Sequence, residues 1–249
     1  MSGHSKWSTI KRKKAKTDQE RGRIFTRLTK ELTIAARHGG GDPEGNPRLR
    51  SAVDAARKAN MPSDNIKKAI QKGTGELPGV SYEEASYEGY GPGGVAIYVE
   101  TLSDNKNRTV AEIRHLFSRF NGNLGENGSV AWMFQRLGQI TVNSGSTDED
   151  TLMMLALDAG ASDVAAEDSG FLITTEFGRL YDVKAALEGG GVDVAEASIA
   201  MVPQNTIKLE GKPAEQMLRL MEALEEHDDV QNVYANFDID ESVMEQFDR

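Results

Sequence analysis

The chain has 249 residues, 38% of them hydrophobic, no cysteine and a formal net charge of −10. That length exceeds the usual single domain of about 100–150 residues and predicts two or three domains. The missing cysteine excludes disulfides, thiolate metal sites and cysteine nucleophiles, and apolar runs such as Val95–Val99 fall far short of the ~20 residues a membrane helix needs.

The first stretch is the most basic. Residues 3–23, GHSKWSTIKRKKAKTDQERGR, hold eight Lys or Arg against two acids, with Trp7 among them. No apolar h-region is found here, so no secretory signal is expected. The segment is lysine-dominated and runs into Asp18 and Glu20, and so reads as mature protein rather than a transit peptide. From Ile24 the apolar spacing turns helical, with Ile24, Leu28, Leu32 and Ala35 on one stripe, until His38-Gly39-Gly40-Gly41 and Asp42-Pro43 stop it. Leu49, Val53, Ala56 and Ala59 predict a second helix ending at Asn60-Met61-Pro62. Ser63 is expected to cap a third, through Ile66 and Ile70, that Gly73-Thr74-Gly75 closes.

The charge changes sign at GTGELPGV, residues 73–80. Residues 1–72 hold 18 basic and 7 acidic residues, net +11, and residues 73–249 hold 11 and 32, net −21. YEGYGPGG reads as a turn-rich lead into the strand VAIYVETL, followed by a helix over 109–120 and a glycine–asparagine loop. VAWMF is expected to be a short strand. Beyond it, GQITVNS, TDEDTLMMLALDAG, ASDVAAED, GFLITTEF, the Leu180/Val183/Leu187 stripe and ASIAMVP follow in the order βαββαβ, which is ferredoxin-like. NTIKLE, a helix over Pro213–Glu226 and VQNVYANFDI then supply a βαβ remainder that can complete the portion at 80–135. The last residues read as frayed and acidic. The expected architecture is α+β with three domains. An N-terminal arm and three-helix bundle occupy 1–76, a discontinuous α+β domain occupies 77–136 plus 204–249, and a ferredoxin-like domain is inserted at 137–203.

Catalytic signatures are missing. His4, His38, His115 and His227 share no metal-ligand spacing, and neither a P-loop nor a G-x-S-x-G elbow occurs. The glycines of HGGGDPEG and YGPGG punctuate turns. No enzyme activity, cofactor, metal, small-molecule substrate or membrane partner is expected. The positive signal is the basic segment, since each cation set against a phosphate releases condensed counterions. Lys11, Arg12, Lys13, Lys14 and Lys16 are too dense for the nearby acids to neutralise, and Arg21, Arg23, Arg27, Lys30 and Arg37 can extend the footprint into the first helix. Trp7 can either stack on an unpaired base or anchor the segment by packing. In SDNKNRT, residues 103–109, Lys106 and Arg108 can present donors at a helix N-terminus to a phosphate, or Asn107 or Thr109 can simply cap that helix.

Read together, GHSKW, RGRIFTRLTKEL, GGGDPEGNPRLR, ANMPSDNIKKAI, YEGYGPGGVAIYVE, SDNKNRTVAEIRHLF and GNLGENGSVAWMF resemble the YebC/PmpR family. The match is dense over residues 2–134 and thinner to DDVQNVYANF. The resemblance implies the same three domains and a cytoplasmic bacterial regulator of transcription that binds DNA. Some relatives, including a mitochondrial translational activator, instead assist ribosomes stalled on proline-rich stretches, which makes ribosomal RNA the alternative partner. The family's basic elements map to Lys6, Trp7, Lys11, Lys13, Lys14, Arg21 and Arg27. No enzyme chemistry comes with it.

Overall fold

The computed structural model describes Trp7 and residues 18–145, 147–167 and 170–247. Three helices come first: α1 (Asp18–Gly39), α2 (Pro47–Lys58) and α3 (Ser63–Thr74). The predicted stripes bury Leu32, Ala35, Leu49, Val53, Ala56, Ile66 and Ala69 in one core. A single side chain joins two of these helices. The Asn46 amide donates to the carbonyls of Ala35 (2.8 Å) and Gly40 (2.9 Å) at the end of α1, while its Oδ1 accepts the Leu49 N–H (3.1 Å) at the start of α2. Orphan groups of two helix ends are thereby satisfied together. Ser63 does not cap α3; Pro62 holds the cap position without a side-chain hydrogen bond, and Ser63 is already helical. Gly73 lets α1 and α3 approach closely, because a Cβ there would fall on the Thr33 carbonyl oxygen and Ala36 Cβ.

The next portion is built on an antiparallel sheet. β1 (Glu83–Tyr90) pairs with β2 (Ala96–Ser103), then come α4 (Lys106–Arg119) and the short β3 (Asn123–Leu124). β1 takes in residues 87–90 of the stretch expected to be a turn-rich lead-in, and Pro92–Gly94 form a 3-10 turn before β2. The alternation of β1 is obscured by Glu88, whose carboxylate is buried yet accepts the backbone N–H groups of Gly128, Val130 and Ala131 at 2.7–2.8 Å. Gly89 is required beside it, where a Cβ would meet the Phe117 ring and the Asn123 carbonyl. VAWMF is not a strand: Ala131–Met133 form a 3-10 turn, and β4 (Phe134–Asn143) begins at its end.

β4 opens the inserted unit, Phe134–Val202, one of two compact units into which the chain divides. It continues through α5 (Glu149–Asp158), β5 (Asp163–Glu167), β6 (Gly170–Glu176), α6 (Leu180–Gly189) and β7 (Val194–Pro203). The strand order β5-β6-β4-β7 is the ferredoxin-like arrangement. Ile140, Val142, Leu152, Ala156, Ile173, Val183 and Leu187 fill its core.

After the insertion the chain returns to the first sheet. β8 (Ile207–Lys208), α7 (Gly211–Glu225), β9 (Val230–Ala235), β10 (Phe237–Asp238) and α8 (Glu241–Phe247) follow. β9 lies beside β2, giving the order β3-β1-β2-β9, and β10 pairs in parallel with β8. The Gln204 N–H bonds the Met133 carbonyl at 2.9 Å, tying together the two chain segments that flank the insertion. Val99, Ile113, Phe117, Met217, Met221, Leu224 and Val233 form the core of this portion. Of the C-terminal end expected to fray, residues 248–249 lie outside the described residues, and Glu241–Phe247 form α8, with Met244 buried in that core and Phe247 against it.

Candidate nucleic-acid interface

Of the cations expected to meet a polyanion, Lys6, Lys11, Arg12, Lys13, Lys14 and Lys16 lie outside the described residues. Trp7 is described, and it is fully buried in the core beneath the first sheet. Its Nε1–H donates to Glu225 Oε1 at 3.0 Å, and its ring lies 5.9 Å from that of Phe247. Of the two roles open to it in the sequence, the structure places Trp7 as a packing anchor and not as a stacking platform.

The cationic stripe of α1 is turned inward in the same way. Arg23, Arg27 and Lys30 stand at i, i+4 and i+7, so they share one helix face. That face meets the densest acidic run of the chain, Glu225-Glu226-His227-Asp228-Asp229. Arg23 pairs with Glu226 at 2.7 Å. Burial lowers the pKa of Arg27, with Glu225 and Asp228 opposing the effect, and its Nε has no hydrogen-bond partner among the described residues. Lys30 is buried and spends all three protons, on Asp229 Oδ1 (2.6 Å) and the carbonyls of Asp228 (2.9 Å) and Leu102 (3.2 Å). Lys30 therefore cannot face a phosphate, which corrects the sequence expectation. Arg21, on another face, is exposed.

The 103–109 stretch is also closed, by its own groups and by Glu83 and Asp229. Asn105, and neither Asn107 nor Thr109, caps α4 by accepting the Arg108 N–H at 3.1 Å. Arg108 holds Asp229 Oδ2 at 2.6 Å and Asp104 at 2.9 Å, and Lys106 holds Glu83 at 2.6 Å. An incoming phosphate would have to displace carboxylates already in place. Burial pushes the Asp229 pKa up, but hydrogen bonds from Lys30, Arg108 and Thr109 outweigh it and hold the carboxyl well below its ordinary range.

Asp229 also comes together with Glu112 and His227, ligand-type atoms lying within 4.8 Å of one another, at a polar cleft of about 640 Å³ that Arg23 and Tyr82 also line. These atoms are already committed. His227 Nδ1 accepts the Asp229 N–H at 3.1 Å, its Nε2 lies 2.9 Å from Glu112, and both Asp229 oxygens accept from cations or hydroxyls. The cluster fits a latch between α1 and the sheet better than a cation site.

The basic surface that remains lies on α2 and α3. Arg57, Lys58, Lys67, Lys68 and Lys72 are exposed, and residues 47–74 hold seven basic against two acidic residues, net +5. The two helices are joined by residues 59–62, where Asn60 takes a left-handed φ of 58°. In the sequence these lysines are overshadowed by the denser arm. The signal was IKKAIQK, which sets Lys67, Lys68 and Lys72 away from the buried Ile66 and Ala69.

Comparison with known proteins matches these parts in order. Residues 5–76 match the model of the TACO1/YebC protein N-terminal domain, and residues 82–237 match that of the TACO1/YebC second and third domain. A probable transcriptional regulatory protein of Pelotomaculum thermopropionicum is 61% identical over 97% of this chain and 100% of its own length. One of the same description from Syntrophus aciditrophicus is 60% identical over 98% of each. The crystal structure of a conserved hypothetical protein from Aquifex aeolicus superposes with a TM-score of 0.84 at 46% identity, covering 92% of this chain and 94% of that one. A helical N-terminal part, a split sheet and an inserted ferredoxin-like unit thus coincide with matches along nearly the whole sequence, and the chain belongs to the TACO1/YebC family.

Proposed function

We propose that this chain is a non-enzymatic regulator of gene expression that binds DNA through its N-terminal arm and the exposed lysines of α2 and α3. The observation that carries the reading is the residual basic surface. Arg23, Lys30, Lys106 and Arg108 are held by carboxylates, whereas Lys67, Lys68 and Lys72 face outward and Lys58 is exposed, on the +11 side of a sharply divided chain. The −21 remainder repels a polyanion and so orients the protein on it. The description borne by the relatives from P. thermopropionicum and S. aciditrophicus, probable transcriptional regulatory protein, supports the same role.

One observation admits ribosomal RNA as a second reading. Arginine forks read guanine edges, whereas lysines act as point charges on phosphates. In the helical part, Arg48 is spent on Glu31 and Glu84, Arg50 on the Pro43 and Glu44 carbonyls and Arg37 on Ser81, the exposed Arg57 lies 3.9 Å from Asp54 of its own helix, and the basic groups of α3 are all lysines. Recognition by the phosphate backbone alone serves a structured RNA as well as a duplex.

The test is in-cell crosslinking with sequencing of all bound nucleic acid, comparing the native chain with Lys11, Arg12, Lys13 and Lys14 reversed to Glu. Deleting residues 2–23 would be a poor control, because it removes the core residue Trp7 and the Arg23–Glu226 pair. Promoter DNA lost on charge reversal supports the first reading, and ribosomal RNA lost supports the second. Nucleic acid recovered equally from both proteins refutes the arm as a contact.

A further inference from the structure

The inserted unit carries a surface that nucleic-acid binding does not use. α5 buries Leu152 and Ala156 in the core of its own unit. On its other side Met153, Met154 and Leu157 are 38%, 66% and 50% exposed. Leu157 stands at i+4 from Met153 and i+3 from Met154 and so neighbours both on the helix surface, joining the three into one apolar patch where a solvated helix ordinarily carries polar groups. Glu149, Asp150 and Asp158 border it, all exposed, and α5 contains no basic residue.

The surroundings reinforce that sign. Residues 134–202 hold three basic and twelve acidic residues, net −9. The three cations are already engaged: Arg136 lies over the Phe177 ring at 5.2 Å, Arg179 donates to the Ala159 carbonyl at 3.1 Å at the C-terminal end of α5, and Lys184 faces Glu188 at 3.7 Å. The patch therefore presents methionine and leucine in a net acidic field, with Arg179 partly offsetting it at the C-terminal end of α5.

We propose that this face of α5 docks a basic amphipathic helical segment of another protein, with its apolar residues on Met153, Met154 and Leu157 and its Lys or Arg side chains toward Glu149, Asp150 and Asp158. Charge complementarity selects the occupant. Nucleic acid and anionic lipid have the wrong sign. A second copy of this chain offers matching charge, but the apolar stripes of its α1, α2 and α3 are turned into their own core. Unbranched methionine side chains adapt to a partner's shape, as recognition of varied helices requires.

The probe is a fluorescein-labelled helical peptide of leucine and lysine with its leucines at i, i+3 and i+4 spacing, titrated with the full chain in an anisotropy assay. The control is the same composition scrambled, which keeps charge and loses the apolar row. The variant Met154→Ser/Leu157→Ser removes the apolar groups and keeps every acid. These are exposed positions, so its fold is expected to hold, checked by far-UV circular dichroism. The amphipathic peptide should bind at least about tenfold more tightly than the scrambled one, and lose about tenfold on the double substitution. Equal binding of both peptides, or an unchanged affinity in the variant, overturns the proposal. A concentration-dependent dimer in sedimentation that the variant abolishes also overturns it, assigning the patch to self-association.

Discussion

Replacing Asp229 by Asn tests the latch that holds α1 on the sheet. The carboxylate is 3% exposed and accepts from Lys30 (2.6 Å), Arg108 (2.6 Å), Thr109 (2.7 Å) and Ser103 (3.3 Å). An amide keeps one acceptor oxygen but aims its two protons at donors, and Lys30 is left buried with no countercharge from Asp229. Removing one partner of a buried pair costs about 3–5 kcal/mol. Because Arg108 can turn toward Asp104, the lower end, about 3 kcal/mol, is expected. Urea unfolding followed by tryptophan fluorescence measures it, since both tryptophans, Trp7 and Trp132, lie outside the inserted unit. Adding Lys30→Met should cost less in the Asp229→Asn background than in the native chain, because the stranded ammonium is gone. The pH dependence has a definite sign. The folded pKa of Asp229 is depressed, so its contribution is present above the unfolded value of about 3.9 and is lost as pH falls below it. The variant should therefore show a flatter acid limb below pH ~4. A loss under about 1 kcal/mol, the size of an exposed pair, or an unchanged acid limb, would refute the reasoning.

Three further substitutions probe the scaffold. Trp7→Ala should lower stability by about 3–5 kcal/mol, as for large core truncations; a change within about 0.5 kcal/mol, typical of surface positions, would show that the ring is not a core residue. Gly73→Ala should lower the midpoint of thermal unfolding by forcing α1 from α3, and an unchanged midpoint would contradict the close approach. Glu88→Gln should cost about 1–3 kcal/mol, because its amide protons would face the loop's N–H groups. It should also reduce the fluorescence anisotropy of Trp132, whose indole N–H bonds Ser129 within that loop at 3.1 Å; unchanged anisotropy would mean the carboxylate does not hold the loop.

What the sequence reveals is what local spacing carries. The stripes of α1 to α3 and the βαββαβ order of the insertion are readable because each element marks its own buried face. β1 is not readable, since its buried Glu88 looks like a surface acid until the loop 40 positions on supplies three N–H groups. The site suffers the same blindness. Arg23, Arg27 and Lys30 look like an outward footprint because their acidic partners lie about two hundred positions away, and Trp7 finds Glu225 at a separation of 218. Long-range pairing leaves no periodic trace. Lys67, Lys68 and Lys72 could have been found, because the buried Ile66 and Ala69 fix which way they point.

The central claim is that the basic N-terminal part, α3 included, holds phosphates. The most direct measurement is the salt dependence of affinity for duplex DNA and for a ribosomal RNA fragment, comparing the native chain with Lys67→Glu/Lys68→Glu/Lys72→Glu. Each phosphate contact contributes about 0.9 to the slope of log affinity against log salt on duplex DNA. Loss of three contacts should weaken binding and flatten the slope by about 2–3. An unchanged affinity and slope on both nucleic acids would contradict the account.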